Sequence, residues 1–445
     1  MYLTKRIGLV VGAAALTVTG GSFADTVSGA SNDDLKVLLN SALVRIDQLE
    51  AKQNNVWLTE QRADEIRGLV QDVLADADTR ASLLAQGITA GYDDGAHIAS
   101  SDGNWSLHTN IHMQQRFIYN NRDNPAGGTI DESRYGFENP RTKFILSGNI
   151  VNPQWIYKIE INVGSPGGSL GPSRAGTGDA YLGYKYDDGL TVLFGTMKAP
   201  FLREELVDSR YQLAVERSLL NYTFTTGRSD GIALDYMADQ FHITGMISDG
   251  ANTGQTAAFV LVPETEFAIT GRIEWLAQGN WDQFSDFTNR DSEQGVMVGA
   301  ALHYESLEAG ILPDTDITLF TVDVSAEFEG ANLYAAYIYS DVDITGFPTV
   351  NASGFLVQGG LNFGDDWEAF ARYEFADFDI TGVEDLGLIT FGVNKYIAGH
   401  NAKWTTDIGI GTDTIVLPAA ITGTRMDSGT EDGQLVIRSQ IQFVF

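Results

Sequence analysis

The basic side chains of this chain are few and unevenly placed, and that placement is the first chemical clue. Across 445 residues there are 28 Lys and Arg against 59 Asp and Glu, a formal charge of −31. Residues 104–228 hold 13 of the basic groups beside 12 acids, whereas residues 229–445 hold 7 beside 33. An almost neutral, cation-rich stretch therefore precedes a strongly acidic one, a division suited to sorting charged solutes. The overall acidity argues against nucleic acid as a partner, because phosphate contacts need a cationic surface. Reaction chemistry is poorly represented. Cysteine is absent, which removes disulfides, zinc knuckles and thiol nucleophiles. His108 and His112 would stand about 13 Å apart on a strand, too far to share a metal. The glycines from Gly164 to Gly178 lack the Gly-Lys-Ser/Thr and helix of a phosphate cradle. Asp341, Asp343, Asp377 and Asp379 recur in two similar Asp-x-Asp-Ile-Thr-Gly loops that could clasp calcium, yet without the oxygen spacing and distal Glu of an EF-hand. No nucleophile elbow or zinc-binding His pair is present. No catalytic residue, metal site or cofactor is expected.

The elements that must position the charges change character along the chain. Lys5 and Arg6 precede an apolar stretch from Ile7 to Val18, followed by small Ser22 and Ala24, so residues 1–24 read as a secretory signal peptide. Residues 31–86 read as helical. Leu35, Leu39, Ala42, Ile46, Leu49, Gln53 and Val56 alternate three and four apart, the spacing of a coiled-coil seam. Thr59 then caps a second amphipathic run through Ile66, Val70, Val73, Ala77 and Leu84, as an N-cap hydroxyl does. This coiled-coil segment is expected in the periplasm, trimerising or reaching the cell wall. Residues 87–103, rich in Gly, Asp and Ser, read as a linker.

From Trp105 the period falls to two. Leu107, Ile111, Met113, Phe117 and Tyr119 alternate with His108, Asn110, His112, Gln114, Arg116 and Asn120, one face apolar and the other polar. Sixteen segments of this kind follow, beginning near Trp105, Phe137, Trp155, Asp179, Leu190, Arg228, Gln240, Glu266, Gly295, Asp316, Asn332, Gly354, Trp367, Gly387, Asn401 and Gly433. Short turns exchange with longer polar loops along them, as in outer-membrane barrels. The connection Gln278–Gln294 is long where a short one is expected. Ile441, Phe443 and the final Phe445 share one face, the ending that bacterial outer-membrane proteins present to the barrel-insertion machinery.

No apolar run reaches the roughly 20 residues of a spanning helix, and lipid satisfies no backbone groups, so only an edgeless barrel remains. The expected fold is an all-β transmembrane barrel of 16 antiparallel strands over residues 104–445, set in outer-membrane lipid. Its inner face is expected to be polar, water-filled and without apolar filling. Parity assigns Arg116, Arg141, Lys143, Lys158 and Lys185 to that wall, beside Glu160. The later strands add Asp235, Glu274, Asp323, Glu327, Glu368, Glu374 and Asp407 with Arg272, Arg372, Lys403 and Arg438. On this reading a basic wall faces an acidic one, and an Arg or Lys on the lipid side instead would cost roughly 2–4 kcal/mol at midplane.

Two stretches carry a family resemblance. Ala180-Tyr181-Leu182-Gly183-Tyr184-Lys185-Tyr186 through Gly195-Thr196-Met197-Lys198-Ala199-Pro200-Phe201 resembles the phosphate-selective porin O and P family. So does the following loop, from Glu204-Glu205-Leu206 through Ser209-Arg210-Tyr211 and Glu216-Arg217-Ser218-Leu219 to Gly227-Arg228-Ser229-Asp230-Gly231. The barrel pattern extends the resemblance over residues 104–445, and the helical region looks like an addition to the family's core. The resemblance implies a homotrimeric channel for passive diffusion, narrowed by an inward-folded third loop at residues 199–227. It implies a constriction at Arg203, Arg210 and Arg217, with Glu204, Glu205, Asp208 and Glu216 as acidic counterparts. The acidic excess of residues 229–445 departs from phosphate selectivity, so a general diffusion pore is expected rather than a phosphate channel. A structural tether between outer membrane and cell wall is a further reading.

Overall fold

The structure is a computed structural model describing residues 32–50, 68, 88–122, 133–164, 176–254, 264–288, 293–308, 313–380, 382–415, 420–427 and 433–445. The chain divides into two compact units, within residues 1–81 and 82–445. In the first, helix α1 covers Asn32–Glu50, the opening of the expected helical segment. The expected signal peptide and the run after Thr59, apart from Gly68, lie outside the described residues.

The second unit is a closed barrel. A hairpin of β1 (Ile88–Tyr92) and β2 (Ala96–Ser100) precedes β3 (Ser106–Asn121), β4 (Ser133–Ile150), β5 (Asn152–Asn162) and β6 (Gly176–Lys185). Then come β7 (Leu190–Lys198), β8 (Arg228–Met237), β9 (Phe241–Ser248), β10 (Glu264–Gln278) and β11 (Gly295–Glu308). The remaining strands are β12 (Thr315–Phe328), β13 (Ala331–Ile344), β14 (Val350–Phe363), β15 (Trp367–Asp377), β16 (Leu386–Ala398), β17 (Ala402–Gly411) and β18 (Leu435–Val444). From β3 to β18 each strand pairs antiparallel with the next, and β18 pairs back onto β3 from Leu435↔Asn121 to Val444↔His112. Sixteen strands thus close without an edge, and every expected strand corresponds to one of them.

Alternation fixes which face looks where. On β12, Phe320 and Val322 are exposed on the outside while Thr321, Asp323, Ser325 and Glu327 are buried inside. Aromatic side chains gather at the rims, as lipid interfaces favour: Trp155, Tyr184 and Tyr186 pack at 4.8 Å ring spacings at the short-turn end, and Phe117 lies 5.1 Å from Phe137 towards the long-loop end. Ile441 and Phe443 stand outward on the closing strand, as does Phe445 just beyond it, and Phe445 exchanges backbone bonds with Ile111 (2.7 and 3.0 Å).

Two expectations are corrected here. The segment read as a linker holds the β1–β2 hairpin, because Asp93-Asp94-Gly95 is a tight turn, with φ +49° at Asp94 and +133° at Gly95. β2 continues the edge of β3 where β18 ends, pairing Ala96↔Thr109 through Ala99↔Ser106. The lumen, expected to lack apolar filling, carries an apolar core on one side. Phe201, Leu202, Leu213, Leu219, Leu220 and Phe224 of the β7–β8 connection pack against inward-facing Ile338, Leu356, Phe370, Leu386 and Leu388. The inward parity is polar on most strands and apolar at these positions of β13–β16, which gives this loop a place to bury its leucines.

Candidate functional site

The β7–β8 connection, residues 199–227 and hereafter loop 3, folds across the lumen. It is built from two short helices, α2 (Arg203–Leu206) and α3 (Leu219–Phe224). Between them lies a 3-10 turn at Ser209–Tyr211, capped by the Asp208 carboxylate, which accepts from the Arg210 N–H. Ser218 caps α3 by accepting from Asn221 N–H, and Glu204 in turn accepts from Ser218 N–H (2.8 Å) and Oγ (2.5 Å). Glu204 therefore shapes the loop from within.

The far wall, β12–β18, holds loop 3 in place. Glu374 accepts from the N–H groups of Leu219 (2.5 Å) and Leu220 (3.2 Å). Asp407 accepts from Val215 N–H (3.0 Å) while gripping Arg438 at 2.7 and 3.0 Å. Asn394 and Lys403 donate to loop carbonyls at Leu213, Arg210 and Gln212, and Arg372 donates to Glu216 O (2.9 Å). Gly354 is required beneath this contact, since a Cβ there would strike Leu220 Cδ2. Arg272 pairs with Asp323 (2.8 Å) and Glu274 (2.8 Å) and donates to Phe201 O (3.0 Å).

The near wall, β3–β8, leaves space. Between it and loop 3 lies a cavity of about 520 Å³, lined by Arg141, Lys143 and Glu160 from the wall, by Lys198 and Arg228 at the roots of the loop, and by Glu205, Glu216, Arg217, Ser218 and Asn221 on the loop. Its charges are paired. Lys143 meets Glu160 at 3.1 Å; Arg228 meets Glu160 at 3.4 Å and Asp179 at 2.7 Å; Lys158 meets Asp179 at 2.6 Å. Arg217 lies 3.4 Å and Lys198 3.8 Å from Glu205. Glu216 accepts from Arg141 at 2.6 and 2.8 Å and from Arg116 at 3.0 Å. Burial alone would raise the loop carboxyls. The Arg141 guanidinium nevertheless holds Glu216 below the ordinary carboxylate value, and Arg217 and Lys198 do the same for Glu205. Lys143 and Lys198 hold half-buried Asp208 well below it.

The expected site residues thus divide. Glu205, Glu216 and Arg217 reach the cavity with Arg141 and Lys143. Lys158 stands beside it through Asp179, and Arg116 through Glu216 and Glu138. Lys185 is exposed at the short-turn end of β6. Asp235 and Glu274 hold His242 at 2.7 and 2.9 Å. Asp323, Arg372 and Arg438 serve the far wall. Arg203 points away from the cavity, donating to Ser325 Oγ (2.9 Å) and Phe284 O (2.6 Å) and lying over the rings of Phe284 and Phe287. Arg210 sits at the short-turn mouth, 3.7 Å from Asp94 of the β1–β2 turn. The basic side chains Lys198 and Arg228, with Asp179, were not among the expected site residues. Lys198 and Arg228 pair directly across the base of loop 3, so a cation on each strand flanking the loop was the available signal.

The long β10–β11 connection also enters the lumen. Its 3-10 turn at Trp281–Ser285 is tied to Ala238 O through Trp281 Nε1 (3.1 Å). Phe287 packs 4.9 Å from Tyr334, Thr288 donates to Glu368 (2.9 Å), and Asp286 lies 3.2 Å from His400. Glu327 receives Gln283 at 3.5 Å. This strap thus reaches from the β8–β9 turn to the β16–β17 turn at the short-turn end. Among the described residues no cluster of His, Asp and Glu could hold a metal ion.

Comparison with known proteins then bears on this geometry. Residues 110–302 match the family model of phosphate-selective porin O and P. That span runs from β3 into β11 and contains loop 3 and the near wall. No curated protein matches the chain by sequence. Solved structures share its fold. An anion-selective porin from Comamonas acidovorans aligns at 14% identity, covering 77% of this chain and 100% of its own, with TM-score 0.58. The trimer form of OmpT, an outer membrane protein of Vibrio cholerae, aligns at 14% identity over 77% and 99%, with TM-score 0.54. The outer membrane channel DcaP of Acinetobacter baumannii aligns at 14% identity over 80% and 100%, with TM-score 0.51. At such identities the shared property is the barrel.

Proposed function

We propose that this chain is an outer-membrane porin, a passive channel for ions and small hydrophilic solutes whose path runs between loop 3 and the near wall. The observation that carries the reading is the charged cavity inside a closed barrel with an apolar exterior. A barrel of this strand number encloses water, and here that water is confined to one side. The charges of the ion-pair network around the cavity are seven cations (Arg116, Arg141, Lys143, Lys158, Lys198, Arg217 and Arg228) against six acids (Glu138, Glu160, Asp179, Glu205, Glu216 and Asp208, which lies in the field of Lys143 and Lys198). This small excess supports a mild preference for anions without the strong field a phosphate channel needs.

The family match and the Comamonas acidovorans porin favour a second reading, an anion- or phosphate-selective channel. The trimer form of OmpT supports a homotrimer; the helical segment that α1 opens would lie in the periplasm, trimerising or reaching the cell wall. Bilayer recordings test both readings. The purified chain should form ohmic channels with a small anion-directed reversal potential in a KCl gradient and no micromolar phosphate block. Micromolar block would establish the phosphate-selective reading in its place, and an absence of channels would defeat both.

A further inference from the structure

Each carboxylate lining the near-wall cavity, and Asp179 beside it, lies between two cations. Glu160 sits between Lys143 and Arg228, Asp179 between Arg228 and Lys158, and Glu205 between Lys198 and Arg217. Glu216 sits between Arg116 and Arg141. Glu216 differs from the wall acids Glu160 and Asp179 because it comes from loop 3, and from Glu205, which pairs at the root of the loop and with Arg217 of the loop itself, because it reaches across to Arg116 of β3 and Arg141 of β4.

We infer that Glu216 sets the ion preference of this pore by neutralising Arg141, which would otherwise confront the passage as an uncompensated cation beside Arg116. The inference rests on the porin reading. The two arginines are not equally dependent on Glu216. Arg116 keeps Glu138 and the Ile421 carbonyl as partners, whereas among the described residues the Arg141 guanidinium otherwise hydrogen-bonds only the neutral Gln114 Oε1, at 3.0 Å, with Glu205 and Asp208 acting on it from further off. Arg141 lines the cavity, so loss of the Glu216 charge would act there first. The position of the loop depends on other contacts. The backbone carbonyl of Glu216 is held by Arg372, Val215 N–H by Asp407, and the N–H groups of Leu219 and Leu220 by Glu374. A glutamine at 216 keeps the shape and can still accept one N–H, so it removes charge while leaving those tethers intact. Glu216 is a field-setting residue, and conductance separates that role from a positioning one. A displaced loop widens the path, whereas an unmasked arginine changes which ion uses it.

The test is the zero-current potential of the purified full-length chain in planar bilayers under a KCl gradient, with single-channel conductance recorded alongside. One added unit of positive charge beside a narrow path, screened by salt, should raise the chloride-to-potassium permeability ratio of Glu216→Gln about threefold, at nearly unchanged conductance. Glu216→Asp should restore the wild-type ratio, and Glu216→Gln combined with Arg141→Gln should return most of the way to it. A ratio indifferent to Glu216→Gln overturns the inference and leaves the porin reading standing. So does a shift that appears only with a multi-fold rise in conductance. If Glu216→Gln fails to fold, Arg141→Gln alone decides: a move towards potassium supports the inference, and no change overturns it. Wild-type chain that forms no channel removes the porin reading itself, and the inference with it.

Discussion

The two walls of this barrel hold similar side chains and use them differently. On the near wall, Lys143, Glu160, Lys158, Asp179 and Arg228 form ion pairs beside open space. On the far wall, Glu374, Asp407, Asn394, Lys403 and Arg372 are buried and spend their hydrogen bonds on the backbone of loop 3. What separates them is the inward apolar set Ile338, Leu356, Phe370, Leu386 and Leu388, which draws the leucines of loop 3 to one side. Where a loop can bury apolar surface it excludes water, and the polar groups beneath it must pair with backbone. Where it cannot, the same residue types pair with one another around open space, and that space is the proposed passage.

Substitutions on the two walls should therefore act on different properties. The largest effect is expected for Asp407→Asn, which strands the fully buried Arg438 and weakens the anchor at Val215. Breaking one partner of a buried pair costs about 3–5 kcal/mol, and the temperature at which the barrel loses its compact, heat-modifiable migration in detergent gels should fall clearly. Leu220→Ala comes next. It truncates a side chain 1% exposed, at a cost of about 2–5 kcal/mol in a packed core, borne by the seat of loop 3. Single-channel conductance should rise while the barrel stays folded.

Acid should spare the clamp until late. Glu205, Asp208 and Glu216 titrate below their ordinary value in the folded chain. Their contribution is complete above the unfolded carboxylate range and disappears only as pH falls through the lowered folded values. The zero-current potential should show no step assignable to Glu216, that is, none that Glu216→Gln abolishes, between pH 7 and the ordinary glutamate value of 4.5; such a step above that pH would contradict the pairing. The smallest effect belongs to Lys158→Gln. Its partly exposed pair with Asp179 is worth about 0–1 kcal/mol, so the melting behaviour should be unchanged and the zero-current potential should move slightly towards cations.

The barrel was legible because its signal repeats. Sixteen alternating segments each report the same fact, and the terminal Ile441, Phe443 and Phe445 settle which parity faces outward. The division of the lumen was harder to read. Ile338, Leu356 and Leu388 break the polar parity, yet a single inward leucine looks like noise on a strand, and only the tertiary pairing makes the set contiguous. Arg203 illustrates the limit. It lies in the loop the resemblance singled out, but loop 3 turns it towards Phe284 of the strap, a contact between residues 81 apart in sequence that no local pattern encodes. The β1–β2 hairpin was hidden for another reason. Five-residue strands around Asp93-Asp94-Gly95 are too short for alternation to stand out from a Gly- and Asp-rich linker.

The absence of cysteine allows the division of the lumen to be probed directly. A single thiol is introduced at Asn162, beside the near-wall cavity, or at Thr390, buried on the far wall under loop 3, and single-channel current is recorded as a bulky thiol-reactive reagent is added. The account predicts stepwise block for Asn162→Cys and no change for Thr390→Cys. Block at Thr390→Cys with an indifferent Asn162→Cys would mean that solutes cross on the other side of loop 3, and would contradict it.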